Sequence, residues 1–274
     1  MEEHIVGSFE QFHTVTSAKA RYGMMYRGQK DVSKTLLPTL GRYMPSYLER
    51  GLDEETAKQK LFRAESQVMR IFRKQSAAYL GYMPDAWELW TIAQHHGVPT
   101  RLLDWTLSPL VALFFAVEEK QWTGDSVVYA LKPKNSEISI VEETTSHPIE
   151  TKGLRTFEPA QDTVRVHAQS AFFTIQQDPT IPLEMHRLYG RPPGGPPDAK
   201  EPVTGPLTDT DHIWRLRIKG SARREIRIIL FNYGITRKLL FPELDGLADW
   251  LKYMKWGLPF EIRPGEAFFA PPDI

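Results

Sequence analysis

Residues 109–117 form the longest apolar run in the chain and constrain its fold most strongly. A helix over these residues has no polar face, so it has to be buried on all sides. We therefore predict that it lies at the centre of the fold. The polar residues 94–106 lead directly into it, and such a junction between a polar segment and the core is where we expect the chemistry of the protein.

The composition is that of a globular protein without a global charge. The 274 residues are 41% hydrophobic and carry 34 basic and 34 acidic side chains, so no overall field attracts the chain to nucleic acid or membrane. The absence of cysteine excludes disulfides, thiolate metal sites and cysteine nucleophiles. No apolar run reaches the roughly 20 residues that a membrane helix needs. We expect a soluble, cytoplasmic protein that does not bind membranes.

The hydrophobic periodicity predicts helices and strands without a regular βαβ order, which favours the α+β class. Helices are predicted from Asp53 to about residue 79, from Asp85 to about residue 94, over residues 109–117, from Ser221 to Gly234, and from Pro242 onward. Strands are predicted over residues 23–28, 127–131 and 214–219. Residues near 132–160 and 190–211 lack periodicity and are rich in turn-forming residues, so we expect loop insertions there.

Familiar catalytic signatures are missing from the chain. It contains no Gly-x-Ser-x-Gly elbow, His-Glu-x-x-His helix, Walker loop or Gly-x-Gly-x-x-Gly fingerprint. This disfavours serine hydrolases, zinc peptidases and P-loop enzymes, and we expect no metal site.

Three arginines instead stand in apolar contexts: Arg27, Arg101 and Arg165. A buried charge without a partner costs several kcal/mol, so each guanidinium needs a partner. Either they form structural ion pairs, for example Arg101 with Asp104, or they face a cleft and bind a charged ligand. The residues themselves leave both alternatives open.

Several short motifs follow one another along the chain. They are Tyr26-Arg27-Gly28-Gln29, Leu36-Leu37-Pro38-Thr39-Leu40 with Arg42, residues 94–106, residues 109–116, Arg165 with Gln169 and Phe172 or Phe173, and residues 234–247. In this order they resemble the FRG domain, a bacterial and phage family named for its Phe/Tyr-Arg-Gly start. The resemblance covers residues 23–250. It leaves residues 1–22 as an N-terminal extension and residues 251–274 as a C-terminal tail.

The resemblance implies a divergent relative of the ADP-ribosyltransferases. The expected fold is a single α+β domain with a split, mostly antiparallel sheet flanked by helices. The expected activity is transfer from NAD to a nucleic acid or protein acceptor, as a toxin or phage-defence effector that a partner protein could neutralise. Catalytic roles are expected for Asp104, His95 and Gln169. NAD binding is expected from Tyr26, Arg27, Gly28, Thr100, Arg101, Trp105, Thr106, Arg165 and Phe173.

One position departs from the pattern of the transferases. Where they usually carry a glutamate on a later strand, this chain has Gln169, which can hydrogen-bond a ribose hydroxyl but cannot stabilise a cation as a carboxylate does. Cleavage of the nicotinamide–ribose bond passes through an oxocarbenium-like state, so a carboxylate is needed nearby. Asp104 is the candidate. His95 could act as an acid or base, or it could only cap its helix.

Alternative functions remain open at this point. The protein could be an NAD glycohydrolase, or a module that binds nucleic acid or a ligand without catalysis. The nucleic-acid alternative rests on a local group of basic residues, which could equally be the solvated side of a strand and helix. These residues are Arg215, Arg217, Lys219, Arg223, Arg224 and Arg227.

Overall fold

The computed structural model describes residues 1–133, 147–159, 171–185, 189–190, 201–202 and 213–257. The strands are β1 (Glu2–Val6), β2 (Met25–Gln29), β3 (Leu102–Thr106), β4 (Ser126–Leu131), β5 (Leu154–Phe157), β6 (Ala171–Gln176), β7 (Tyr189–Gly190), β8 (Glu201–Pro202) and β9 (Ile213–Ile218). The α-helices are α1 (Phe9–Lys19), α2 (Met44–Leu48), α3 (Glu54–Leu80), α4 (Ala86–His95), α5 (Pro109–Val117), α6 (Arg223–Asn232), α7 (Arg237–Leu240) and α8 (Leu244–Lys252). Short 3₁₀ turns and one π turn lie at Leu40–Tyr43, Pro148–Glu150, Leu183–Met185, Gly220–Ala222 and Tyr253–Gly257.

Seven strands form one sheet in the order β1-β9-β4-β2-β3-β6-β5, and β7 and β8 form a separate hairpin. All neighbouring strands of the large sheet are antiparallel except β1 and β9. The prediction of an α+β fold with a mostly antiparallel sheet and flanking helices is therefore confirmed. The strand pairing is shortest near the middle of the sheet, because β2 and β3 are paired only at Tyr26 and Thr106.

Helix α5 packs across β2, as expected for an apolar run with no polar face. Its side chains Val111, Ala112, Leu113, Ala116 and Val117 are all buried. The helix comes unusually close to the strand at Gly28, where a Cβ atom would lie only 1.9 Å from the carbonyl oxygen of Ala112. The lack of a side chain at Gly28 therefore allows α5 to pack this close to the sheet.

Helices α3 and α4 begin where local capping chemistry predicts. Asp53 and Asp85 each accept a hydrogen bond from a backbone N–H in the first turn of their helix. Helix α3 ends at Gly81, which has a φ of 77°. Helix α4 ends at His95 and so brings the polar residues 94–106 to the edge of the core.

The structure differs from the sequence-based prediction at several places. Residues 1–22, expected as an extension, contribute β1 and α1, and their Val6 and Phe12 belong to the main core. Strand β5 lies within residues 132–160, which were expected to form a loop. Helix α6 starts at Arg223 after a 3₁₀ turn, so Ser221 is not its cap. Of residues 190–211, only Gly190 and β8 lie within the described part.

Within the part of the chain that the structure describes, no helix is both long enough and apolar enough to cross a bilayer.

Candidate functional site

A cleft of about 780 Å³ opens where β2 and β3 diverge. One wall is β2, the opposite wall is the end of β3, and the C-terminal ends of α4 and α5 close the sides. Volumes of about 300–1,000 Å³ are typical of ligand sites. The polar and aromatic residues that line the cleft include Arg27, His95, Asp104, Thr106, Phe115 and Glu118.

Arg27 spans the gap between the two strands. Its Nη1 donates to the backbone carbonyl oxygen of Asp104 at 2.7 Å and to the carboxylate Oδ2 of the same residue at 3.2 Å. The side chain is only 18% exposed. Its Nε is buried and has no hydrogen-bond partner among the described residues. Arg27 therefore ties the two strands together where they part, at the edge of the cleft.

Asp104 presents a carboxylate to the cleft in a fixed orientation. Gln94 Nε2 donates to both carboxylate oxygens, at 3.2 and 3.1 Å, and the Thr100 hydroxyl donates to Gln94 Oε1. Thr100 is fully buried, so this chain of hydrogen bonds starts from a rigid point. The Asp104 side chain is still 50% exposed, which leaves it accessible to a ligand. Thr100 thus supports the site without touching the cleft.

His95 and Thr106 are brought to the same cleft by different elements. His95 is the last residue of α4, is exposed, and has its ring 4.9 Å from that of His96. Thr106 ends β3, is buried, and accepts a hydrogen bond from the backbone N–H of Ser108. The structure therefore brings Arg27, His95, Asp104 and Thr106 together, as the resemblance implied.

The three aromatic residues expected to stack on the ligand are mostly taken up by the core. Tyr26 is 4% exposed and meets Trp214 edge-on. The indole N–H of Trp105 donates to Thr174 Oγ1 at 2.9 Å. Phe173 stacks on Phe157 with ring centroids 5.3 Å apart. All three touch the cleft, but no ring face of Tyr26 or Trp105 is free to receive a base.

Arg101 lies away from the cleft and has a structural role. Its guanidinium is buried against the carboxylate of Glu65, so it cannot bind the phosphates of a ligand as we expected. Of the two alternatives left open by the sequence, Arg101 therefore follows the structural ion pair, with Glu65 rather than Asp104 as its partner. Arg165 and Gln169 lie outside the described residues.

Part of the chain that forms the cleft matches a known protein family. A model of the FRG domain family matches residues 22–124. Residues 22–124 are recognised as an FRG domain. The searches of curated proteins and of solved structures found no match. The FRG match includes β2, α4, β3 and α5, and with them most of the walls of the cleft. The motifs at Arg165–Gln169 and at residues 234–247 lie beyond it, so their assignment to the family stays a prediction.

One carboxylate of the FRG domain in this cleft was not anticipated from the sequence. Glu118 follows the last turn of α5 and accepts a hydrogen bond from Arg237 Nη1 at 2.5 Å. Burial raises the pKa of the Glu118 carboxyl, although Arg237 opposes the shift. Arg237 also lines the cleft and pairs with Asp249. A charged residue directly after an entirely apolar helix is the signal that could have identified Glu118.

The basic residues from 215 to 227, which follow the region matched to the FRG family, do not form one exposed surface. Arg215 pairs with Glu3, and Arg217 pairs with Asp125. Arg223 is buried, donates to the Ser126 hydroxyl and to four backbone carbonyl oxygens, and closes the C-terminal end of α5. Burial lowers the pKa of Arg223 to about 10. The remaining members are Lys219, which is exposed, and Arg224 and Arg227, which are half-buried.

Among the described residues, no group of three or more His, Asp or Glu side chains is arranged to hold a metal ion.

Proposed function

We propose that the FRG-domain cleft binds NAD and cleaves its nicotinamide–ribose bond, with transfer of ADP-ribose to an acceptor. One observation carries the proposal: the carboxylate of Asp104 is held at the mouth of the cleft beside the guanidinium of Arg27. A fixed anion stabilises an oxocarbenium-like ribose, and a neighbouring guanidinium neutralises a pyrophosphate.

Each residue of the cleft has a distinct part in this proposal. Arg27 binds a phosphate through the part of its guanidinium that is accessible from the cleft. Asp104 faces the anomeric carbon, and Gln94 keeps its carboxylate in position. His95 and Thr106 orient ribose hydroxyls. Arg165 and Gln169 keep the roles that the resemblance implies, as a phosphate ligand and as a partner of the nicotinamide amide.

Gln169 stands where the transferases usually carry a glutamate, so in this proposal the carboxyl groups of the cleft come from other positions. Glu118, just after α5, is a second carboxyl group that lines the cleft, and burial raises its pKa. The cleft therefore combines one exposed carboxylate with one partly buried carboxyl group.

The test measures nicotinamide release from NAD by chromatography, using the purified full-length chain. Asp104→Asn keeps the shape of the side chain and removes its charge, and Arg27→Lys removes the planar guanidinium. We expect both to lower kcat/KM by about 10²-fold or more, the range seen when a group that stabilises transition-state charge is removed. The matched controls are Asp245→Asn and Arg50→Lys, exposed residues outside the cleft, which should keep full activity.

The same assay separates the alternative functions. Release that needs an added acceptor identifies a transferase, and release without an acceptor identifies a glycohydrolase. NAD binding by calorimetry without release identifies a binding module. If NAD neither binds nor is cleaved, or if Asp104→Asn and Arg27→Lys behave like their controls, the proposal is wrong.

A further inference from the structure

The solvent face of α3 carries an unusual concentration of positive charge. Five basic side chains between positions 60 and 74 are exposed, and no acidic residue is exposed from position 56 to the end of the helix. The one carboxylate in that stretch, Glu65, is buried against Arg101. We call this surface the basic strip. Its members are Lys60, Arg63, Arg70, Arg73 and Lys74.

All five members of the basic strip lack an ionic partner among the described residues. None of the five forms a hydrogen bond or ion pair within the described residues. Lys58, one turn before them, pairs with both Glu54 and Asp178. Arg215, Arg217 and Arg237 are likewise paired with carboxylates. The charge of the strip is therefore available to a partner molecule.

The strip is straight and points away from the core. At 100° per residue, its members cluster on the side of α3 opposite the buried Ala57, Leu61, Glu65 and Met69. From position 60 to 74 the helix rises by about 21 Å. Several phosphates of a duplex backbone lie within that length, because each strand advances by about 3.4 Å per nucleotide.

We propose that the basic strip of α3 binds the phosphate backbone of a duplex nucleic acid. Charge complementarity supports a polyanion, because five unpaired cations on one rigid face repel one another until counterions or phosphates neutralise them. No aromatic side chain lies between the basic residues on this face, so it offers no platform on which the bases of a single strand could stack. Binding is therefore expected to be independent of sequence.

A membrane surface fits the strip less well. A helix that lies in a lipid interface needs its apolar face for the acyl chains, and Ala57, Leu61 and Met69 of α3 are buried in the core. Of its large apolar side chains, Val68, Ile71 and Tyr79 remain exposed. The proposal does not depend on NAD cleavage, because binding can be measured without NAD.

The test compares two triple variants by fluorescence anisotropy with labelled 20-base-pair duplexes of DNA and RNA. The first is Arg70→Gln, Arg73→Gln and Lys74→Gln, which removes three charges of the strip. The matched control removes three exposed basic residues elsewhere: Arg50→Gln, Lys152→Gln and Lys255→Gln. Circular dichroism and thermal unfolding check that both variants fold, and substitution of exposed polar residues should leave both intact.

We expect the wild-type affinity to fall steeply with salt. Each lost phosphate contact should reduce the slope of log Kd against log salt concentration by about 1, so the strip variant should lose about 3 in slope and the control nothing. Equal losses in both variants would show non-specific attraction and overturn the proposal. So would the absence of duplex binding at low salt, or binding to vesicles containing anionic lipid without binding to duplexes.

Discussion

Glu65 and Arg101 form a buried, two-pronged ion pair that joins the middle of α3 to the start of β3. Arg101 Nε donates to Oε1 of Glu65 at 2.8 Å, and Nη2 donates to Oε2. A third donor, Nη1, reaches the carbonyl oxygen of Gln177 at 3.2 Å, and the guanidinium lies over the ring of Phe62. The pair therefore fixes the long helix relative to the strand that carries Asp104.

Removing one member of this pair should destabilise the protein strongly. Glu65→Gln leaves a buried guanidinium without a counter-charge, and the expected loss in unfolding free energy is about 3–5 kcal/mol. The double variant Glu65→Leu with Arg101→Met removes both charges and should recover much of that loss. Urea unfolding of the three proteins measures it. A double variant less stable than Glu65→Gln contradicts the expectation.

Substitution of Gly28 tests how tightly α5 sits on β2. In Gly28→Ala the new Cβ would lie 1.9 Å from the oxygen of Ala112 and 2.7 Å from the nitrogen of Ala116, both backbone atoms that cannot rotate away. We expect a loss of about 3 kcal/mol or more, at the upper end of overpacking effects. Gly7→Ala is the control, because its nearest contact is an ordinary 3.5 Å. It should change the thermal midpoint little.

The hydroxyl of Thr100 should matter for the activity of the cleft although it is buried outside it. Thr100→Val leaves Gln94 Oε1 without its donor and the backbone N–H of Leu102 without its acceptor. The stability cost is about 1–3 kcal/mol. Because Gln94 can then rotate away from Asp104, nicotinamide release should fall as well. Thr100→Ser keeps the hydroxyl and should restore activity, and failure of that rescue would show that only packing matters.

Glu118 should make stability depend on pH in a defined direction. Its pKa is raised above the ordinary value of 4.5, so between the two values the folded state binds more protons than the unfolded state. The carboxyl therefore favours folding at low pH, and this contribution is lost as the pH rises through the raised pKa. Glu118→Gln cannot titrate. Urea unfolding at several pH values should show the wild type gaining stability relative to this variant on acidification from pH 7 to below 4.5.

Local chemistry explains which parts of the fold could be predicted from the sequence. Asp53 and Asp85 were identifiable as helix caps because the capping hydrogen bond joins residues only three positions apart. The buried helix α5 was identifiable because all its residues are apolar. Strand β1 was not, because only Val6 of its five residues is buried and its sequence shows no alternation of apolar and polar side chains.

The candidate site could be predicted only in part, because it depends on contacts between residues that are far apart in the sequence. Arg27 and Asp104 could be assigned to one place through the family resemblance, but their hydrogen bonds depend on how β2 and β3 diverge. The pairing of Arg101 with Glu65 could not be predicted, because a single glutamate on an amphipathic helix looks like any solvent-exposed residue. Glu118 offered a local signal, a charge directly after an apolar helix, but its place in the cleft depends on the close approach of α5 at Gly28.

The single residue pair between β2 and β3 has a mechanical consequence. On either side of it the ladders are continuous, with five residue pairs between β2 and β4 and five between β3 and β6. Across this narrow join the two halves are held by a shared core, in which Leu103 and Trp105 of β3 pack with Met25 of β2. The hydrogen bonds of Arg27 to Asp104 add a polar contact on the cleft side. The floor of the cleft is therefore joined by side chains rather than by a backbone ladder, and a substitution that loosens Arg27 acts on the cohesion of the sheet as well as on the cleft.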